Sequence, residues 1–270
     1  MNGKKLGKLE IVGAVMVLVL VLVAIFAPVL APHDPTRAVA PTYGDPGPPS
    51  FAFPMGTDQL GRDVLSRIIY GARISLTVGV AAMAVTIAIG VMIGLLAGFF
   101  GGMVDFVLMR FTDVMLTLPA LLLAMAFVAV LHPSLLTILL VIGLVSWTTV
   151  ARVVRAEALS MSQRDFVVAA RTLGAHPVRL ISRHVLPNVL PIIVVMAALG
   201  TSGTLLLDAA LSFLGLGVPP PTPTWGRMIE EATIYFRTAP WLAIFPGLAI
   251  FYAVLAFNLL GYGVLRQRSR

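Results

Sequence analysis

Residues 11–31, IVGAVMVLVLVLVAIFAPVLA, contain no charged side chain, and neither do residues 74–98. A hydrocarbon layer about 30 Å thick is crossed by about 20 mostly apolar residues in a helix. Runs of this kind have no place in a soluble fold, where they would leave large apolar patches facing water. Composition agrees: 59% of the residues are hydrophobic and 11% charged, against roughly 25% charged in soluble domains. Mean hydropathy is +0.97. Lipid is the solvent that suits this chain.

Six segments qualify as spanning helices: 11–31, 74–98, about 107–131, 133–151, about 188–212 and about 239–265. The expectation is an all-α integral membrane protein with six transmembrane helices. Arg110 and Asp113 sit near the start of the third segment, Asp208 interrupts the fifth and Pro246 lies in the sixth. A proline is tolerated in a membrane helix where neighbouring groups satisfy the freed carbonyl. The first segment reads as a retained helix rather than a cleaved signal. Its apolar run exceeds the roughly 7–15 residues of a signal core, and a cut after Ala31 would leave Pro32 beyond the scissile bond.

Basic residues orient the spans. With the N-terminus in the cytoplasm, the tail (Lys4, Lys5, Lys8), the first cytoplasmic turn (Arg110), the 151–187 loop and the C-terminus (Arg266, Arg268, Arg270) together hold 13 of them, and the opposite side holds 6. Lysine and arginine collect on the cytoplasmic side, so both termini are expected there. The same bias accounts for the net charge of +7 without invoking nucleic acid.

Residues 32–57 are rich in proline and glycine and read as an extended extracytoplasmic linker. In the stretch that follows, Leu60, Val64 and Ile68 recur every four residues, flanked by Leu65 and Ile69. Asp58 with Arg62 and Asp63 with Arg67 have the i,i+4 spacing of helical ion pairs, acid first. An amphipathic helix preceding the second span is the expectation.

Catalytic signatures are missing. The sequence holds no G-x-x-x-x-G-K-[ST] phosphate loop, no G-x-S-x-G elbow and no H-E-x-x-H pair. Cysteine is absent, and His33, His132, His176 and His184 are scattered without chelating spacing. The clearest ionisable group within a span is Asp208. Such a residue usually faces a cavity or a partner, which makes it a candidate for the pathway or for a subunit contact. Its position near the end of the span also allows it simply to reach the membrane interface.

The polar exception is the cytoplasmic stretch 165–188, DFVVAARTLGAHPVRLISRHVLPN. Ser162 and Asp165 fit a capping box opening a helix near 163. Gly174 suits the stop of that helix, and Pro177 after His176 suits the first turn of a second one ending at Leu186-Pro187. Phe166, Ala170 and Leu173 would share a face, with Ala169 beside them, and such small residues admit a close neighbour. Arg171, Arg179 and Arg183 surround it. Three readings are open: a solvated loop, a DNA-reading helix-turn-helix, and a docking element. No third helix or soluble core supports the second. The missing energy source favours the third.

Residues V168-A-A-x-x-x-G174 followed by H184-V-L-P187 resemble the EAA loop of binding-protein-dependent ABC importer permeases. Ala169, Ala170, Gly174, Leu186 and Pro187 match that pattern in spacing, while Val168 stands where it has Glu and His184 where it has Ile. MGTDQLGRDVLSRIIYGARISL (55–76) and LSFLGLGVPPPTPTWGRMIEEA (211–232) are similar to the C-type subunit of the dipeptide/oligopeptide/nickel branch. The resemblance implies a type I permease fold over 73–265, preceded by an accessory span, linker and amphipathic helix (1–72) and followed by a basic tail (266–270). It implies residence in a bacterial or archaeal cytoplasmic membrane. It also implies a B-type permease partner, two ABC ATPase subunits that carry ATP and Mg, and an extracytoplasmic substrate-binding protein. The chain itself would be a transport subunit without enzymatic activity or cofactor. Ala169, Ala170, Arg171, Gly174, Leu186 and Pro187 would form its ATPase-coupling loop. Two rival classes are a secondary carrier driven by ions through Asp208, and a membrane anchor or sensor.

Overall fold

The computed structural model describes residues 8–40 and 44–268. Lys4, Lys5 and Arg270, counted above for orientation, lie outside them, as do the side chains of Lys8, Arg266 and Arg268. The described residues form α1 (Lys8–Ile25), α2 (Ala27–Leu30), α3 (Val64–Phe100), α4 (Gly102–Thr117), α5 (Ala120–Val130) and α6 (Leu135–Ser162). Then come α7 (Asp165–Thr172), α8 (Pro177–Leu180), a π-helical turn Ile181–Val185, α9 (Leu186–Phe213), α10 (Trp225–Glu231) and α11 (Trp241–Arg268). No strand is present among the described residues.

The described residues are therefore all-helical, and length and hydropathy single out four or five spanning segments among them. Four helices are long and apolar enough to cross a membrane: Val64–Phe100, Leu135–Ser162, Pro177–Phe213 and Trp241–Leu265. Together, α4 and α5 make a fifth if counted as one span, but they are bent by 86°. Pro119 causes the bend. It lacks the N–H that would bond one turn back and forces Leu118 into an extended conformation (ψ 129°). The 11–31 run is likewise not one helix. It stops at Ile25 and restarts over Ala27–Leu30 with Pro28 in the new first turn, because a proline at that position cannot continue the preceding ladder.

Elsewhere the helices outrun the expected limits. No separate amphipathic helix precedes the second span, since α3 continues unbroken for 37 residues across the expected boundary at 72/73. At about 1.5 Å per residue it is roughly 55 Å long. Its cap is Asp63, whose carboxylate accepts from the Ser66 N–H at 3.0 Å and the Ser66 hydroxyl at 2.6 Å. The expected Asp63–Arg67 pair does not form, because Arg67 pairs with Asp58 and Glu231 instead. Likewise α6 runs on to Ser162 instead of stopping near 151. Arg155 pairs with Asp105, and Arg152 reaches Asp113 at 2.6 Å, so charges assigned to a loop instead tie α6 to α4.

Close packing of α3 on α6 organises the bundle. Gly90, Gly94 and Gly98 recur every four residues on one face of α3. A Cβ added at Gly94 would lie 2.6 Å from the Ala151 carbonyl oxygen and 2.8 Å from Val154 Cβ. At Gly98 it would lie 2.5 Å from the Arg155 carbonyl oxygen. In lipid, such small-residue faces let backbones approach where no hydrophobic drive between helices exists. Around this seam, Leu95, Phe99, Val150, Val154 and Ala158 form one buried cluster with residues of α8 and α9.

At the opposite end of α3 a buried ion network holds α10. Arg62 Nε is 2.6 Å from Asp58 Oδ2, and Arg62 Nη2 is 3.1 Å from Glu231 Oε2. Arg67 Nη1 bonds Asp58 and lies 2.9 Å from the same Glu231 oxygen, while Arg227 Nε stands 3.3 Å from Glu231 Oε1. The Arg67 side chain is only 2% exposed. Trp225 strengthens the joint: its indole N–H donates to the Ile68 carbonyl at 3.0 Å.

Two stability predictions follow from these contacts. Gly94→Ala should cost about 1–3 kcal/mol through overpacking against the Ala151 carbonyl, read as a lower Tm of the detergent-solubilised protein. Glu231→Ala leaves Arg62 and Arg67 short of a buried counter-charge and should cost about 3 kcal/mol. Proteolysis should locate that second loss first in the 214–240 segment.

Candidate functional site

The loop between α6 and α9 carries the polar residues singled out above. Its first turn is not closed by the expected capping box. The Ser162 hydroxyl donates back to the Leu159 carbonyl at 2.8 Å, and Arg164 is the N-cap residue of α7 without a side-chain bond. Ser162 is still helical, so its side chain has a carbonyl of its own helix to serve. The exit of α7 is as expected. Gly174 adopts φ +82°, its N–H donates to Arg171 at 3.0 Å, and the Ala175 N–H donates to Ala170 at 3.1 Å. That bond pair is the Schellman stop, which needs a residue content at positive φ. His176 then caps α8, its ring nitrogen Nδ1 accepting from the Val178 N–H at 3.4 Å, with Pro177 in the first turn.

The second short helix does not end at Leu186-Pro187. The chain stays helical from Pro177 to Phe213, passing through the π-turn Ile181–Val185. A widened turn just before Pro187 accommodates a residue that cannot supply the regular N–H. The loop is thus one short helix, α7, plus an extension continuous with α9.

Of the expected coupling residues, Ala170 and Leu186 pack against the buried cluster of Leu95, Phe99 and Val185. Val167, which the sequence reading did not single out, is fully buried. Arg171 places its guanidinium 5.1 Å above the Phe99 ring at the end of α3, a cation–π contact. Ala169, Gly174 and Pro187 are exposed. So are large apolar side chains: Phe166 49%, Val168 47%, Val178 66% and Leu173 89% exposed. Helical spacing puts Phe166, Ala169 and Leu173 on one outward face of α7. Apolar side chains at the tip of a charged loop mark a surface made to be covered.

Asp208 lies in a different environment. It is 1% exposed, and its Oδ1 has no hydrogen-bond partner. It lines a cavity of about 10 Å³ with Ser75 of α3, Trp225 and Gly226 of α10, and Ile250 and Ala253 of α11. This is the lower limit of space for one water. The Trp225 backbone N–H donates to the Ser75 hydroxyl at 3.3 Å. Asp208 therefore stands inside the subunit, where α3, α9, α10 and α11 meet. No group of three or more His, Cys, Asp or Glu side chains that could hold a metal occurs among the described residues. A larger cleft of about 630 Å³ opens elsewhere, between α3, α5, α6 and α9.

Sequence reasoning missed Glu231 and Phe99. Glu231 closes the 211–232 motif and its partners sit in the 55–76 motif, so the occurrence of two specific motifs was the available signal. Phe99 had none, being one more aromatic in an apolar run.

Comparison with known proteins places this architecture. Residues 90–268 match the family described as binding-protein-dependent transport system inner membrane component. Residues 8–49 match the N-terminal transmembrane domain of oligopeptide transport permease C. The chain is similar to the dipeptide transport system permease protein DppC of Alkalihalophilus pseudofirmus, 40% identical over 266 residues, 96% of this chain and 85% of that protein. It is 43% identical over 258 residues to the di/tripeptide transport system permease protein DppC of Pseudomonas aeruginosa, covering 93% of this chain and 84% of that one. With the glutathione transport system permease protein GsiD of Escherichia coli it shares 42% identity over 255 residues, 93% and 82% of the two chains. A family match spanning α6, the α7–α8 loop, α9 and α11 joins the exposed loop and the apolar bundle in one unit: the chain belongs to the binding-protein-dependent transport system inner membrane components, a family of transport permeases.

Proposed function

We propose that this chain is one permease subunit of an ATP-driven importer whose substrates are di- and oligopeptides or a related small solute such as a nickel chelate. The observation that carries the reading is the α7–α8 loop. It presents Phe166, Leu173 and Val178 to the cytoplasm, while Arg171 and Ala170 fasten it to α3 and to the buried cluster. A partner seated on that tip would move α3 and α9 together. Relatives named for dipeptide, di/tripeptide and glutathione transport support the substrate class.

In this reading six segments span the cytoplasmic membrane of a bacterium or archaeon, with α1 and the bent α4–α5 pair each crossing once and both termini inside. A B-type permease completes the pore and a substrate-binding protein loads it from outside. Two ATPase subunits carry ATP and Mg; this chain supplies no cofactor site. Ala169, Gly174 and Pro187 belong to the docking surface, and Leu186 to its anchor. Enclosure of Asp208 within the subunit, away from the open cleft, favours the ATP-driven reading over an ion-coupled carrier.

Liposomes holding the two permeases and the ATPases, supplied with the binding protein, should take up a labelled dipeptide only with ATP on the ATPase side. Uptake driven by a proton or sodium gradient without the ATPases would overturn the reading. Leu173→Asp charges an 89% exposed position and should reduce ATPase co-purification about tenfold, as a lost contact of about 1.4 kcal/mol does. Gly174→Val forces a β-branched residue to positive φ and should displace α7 with the same result. The amount of subunit in the membrane should stay unchanged in both, and normal co-purification with Leu173→Asp would remove the loop from the docking surface.

A further inference from the structure

Hydroxyls and glycines interrupt the apolar lining of the cleft of about 630 Å³. Thr86 of α3, Ser146, Thr148 and Thr149 of α6, and Gly200 and Gly203 of α9 stand there among large apolar side chains such as Met83, Leu121, Met196 and Leu207. The hydroxyl residues and glycines stand near the middle of their helices. None of the residues lining the cleft is charged. On its remaining side lie Leu116, Ala120 and Leu121, which flank the break at Pro119. Irregular backbone at membrane depth persists only where protein buries it or where it borders a water-filled cavity.

Gly203 is the position where this wall is thinnest. A Cβ added there meets no atom within 4 Å, whereas one added at Gly79 of α3 would lie 2.6 Å from the Leu205 side chain. Packing within this chain therefore does not account for a glycine at 203; the open space in front of it does. The volume is within the roughly 300–1,000 Å³ of small-molecule sites. An uncharged lining of apolar side chains with a few hydroxyls selects no sign of charge, which suits solutes with a constant backbone and variable side chains.

On the reading that the chain is an importer subunit, we propose that this cleft is its wall of the substrate path and that the bare Cα of Gly203 sets the largest peptide the path admits. Side chains added at 203 project into the path and narrow it stepwise without disturbing the bundle.

The test uses Gly203→Ala, Gly203→Leu and Gly203→Phe in the reconstituted complex, with dialanine and a bulky aromatic tripeptide as substrates. Tripeptide uptake should fall with side-chain size, reaching about tenfold or more for Gly203→Phe, while dialanine uptake falls less than about threefold. Equal effects on both peptides, or none, would overturn the proposal. Loss of co-purification with the second permease would also overturn it, because the cleft would then be packed by that partner. A minimal substitution gives an independent check, since the chain contains no cysteine. Gly203→Cys should react with a water-soluble methanethiosulfonate and be protected by peptide, whereas Leu248→Cys should not react. A thiol at 203 that stays unlabelled would place the cleft outside any aqueous path. Absent ATP-dependent uptake by the unmodified complex would instead count against the importer reading itself.

Discussion

The approach of α3 to α6 over Gly90, Gly94 and Gly98 is the contact from which the other features hang. Backbone atoms of α6 occupy the space where side chains of α3 would otherwise stand. With the two helices locked, α3 becomes a rod with a different attachment at each level. Its first turns hold α10 through Arg67 and Trp225. Its middle contributes Met83 and Thr86 to the open cleft. Its last turn meets the polar α7–α8 loop through Phe99 and Arg171. One uninterrupted helix thus joins the loop to the α10 end of the bundle.

Prolines decide where such continuity ends. A helix in lipid has no water to serve an unpaired carbonyl, so each proline is met by a break, a bend or a widened turn. Pro28 divides α1 from α2, and Pro119 turns α5 by 86° from α4. Pro187 follows a π-turn, which keeps α8 and α9 in one helical path. The second half of the loop is continuous with α9 because that accommodation preserves the helix.

Much of this was legible from residue order. Uncharged runs announced the spans, and Gly174 announced the end of α7 because a single residue type suits its φ of +82°. Other features resisted such reading for identifiable reasons. Asp63 could serve Arg67 or the α3 cap, and the cap prevailed because Glu231, far along the chain, arrives to pair with Arg67. Arg152 and Arg155 read as loop charges because their partners Asp113 and Asp105 belong to another helix. Hydropathy windows count apolar residues and overlook backbone geometry, so they passed over the interruption at Pro119.

The sequence by itself determined the solvent, the helical class and the position of the polar loop along the chain, since each depends on local composition or on one residue's backbone preference. Tertiary structure alone decided that Glu231 joins Arg62 and Arg67, that Asp208 is enclosed where four helices meet, and that Gly203 faces open space while Gly94 faces a carbonyl. Those outcomes depend on distances between segments far apart in the chain. Three glycines with the same four-residue spacing announce a close approach, but the partner helix decides what they approach.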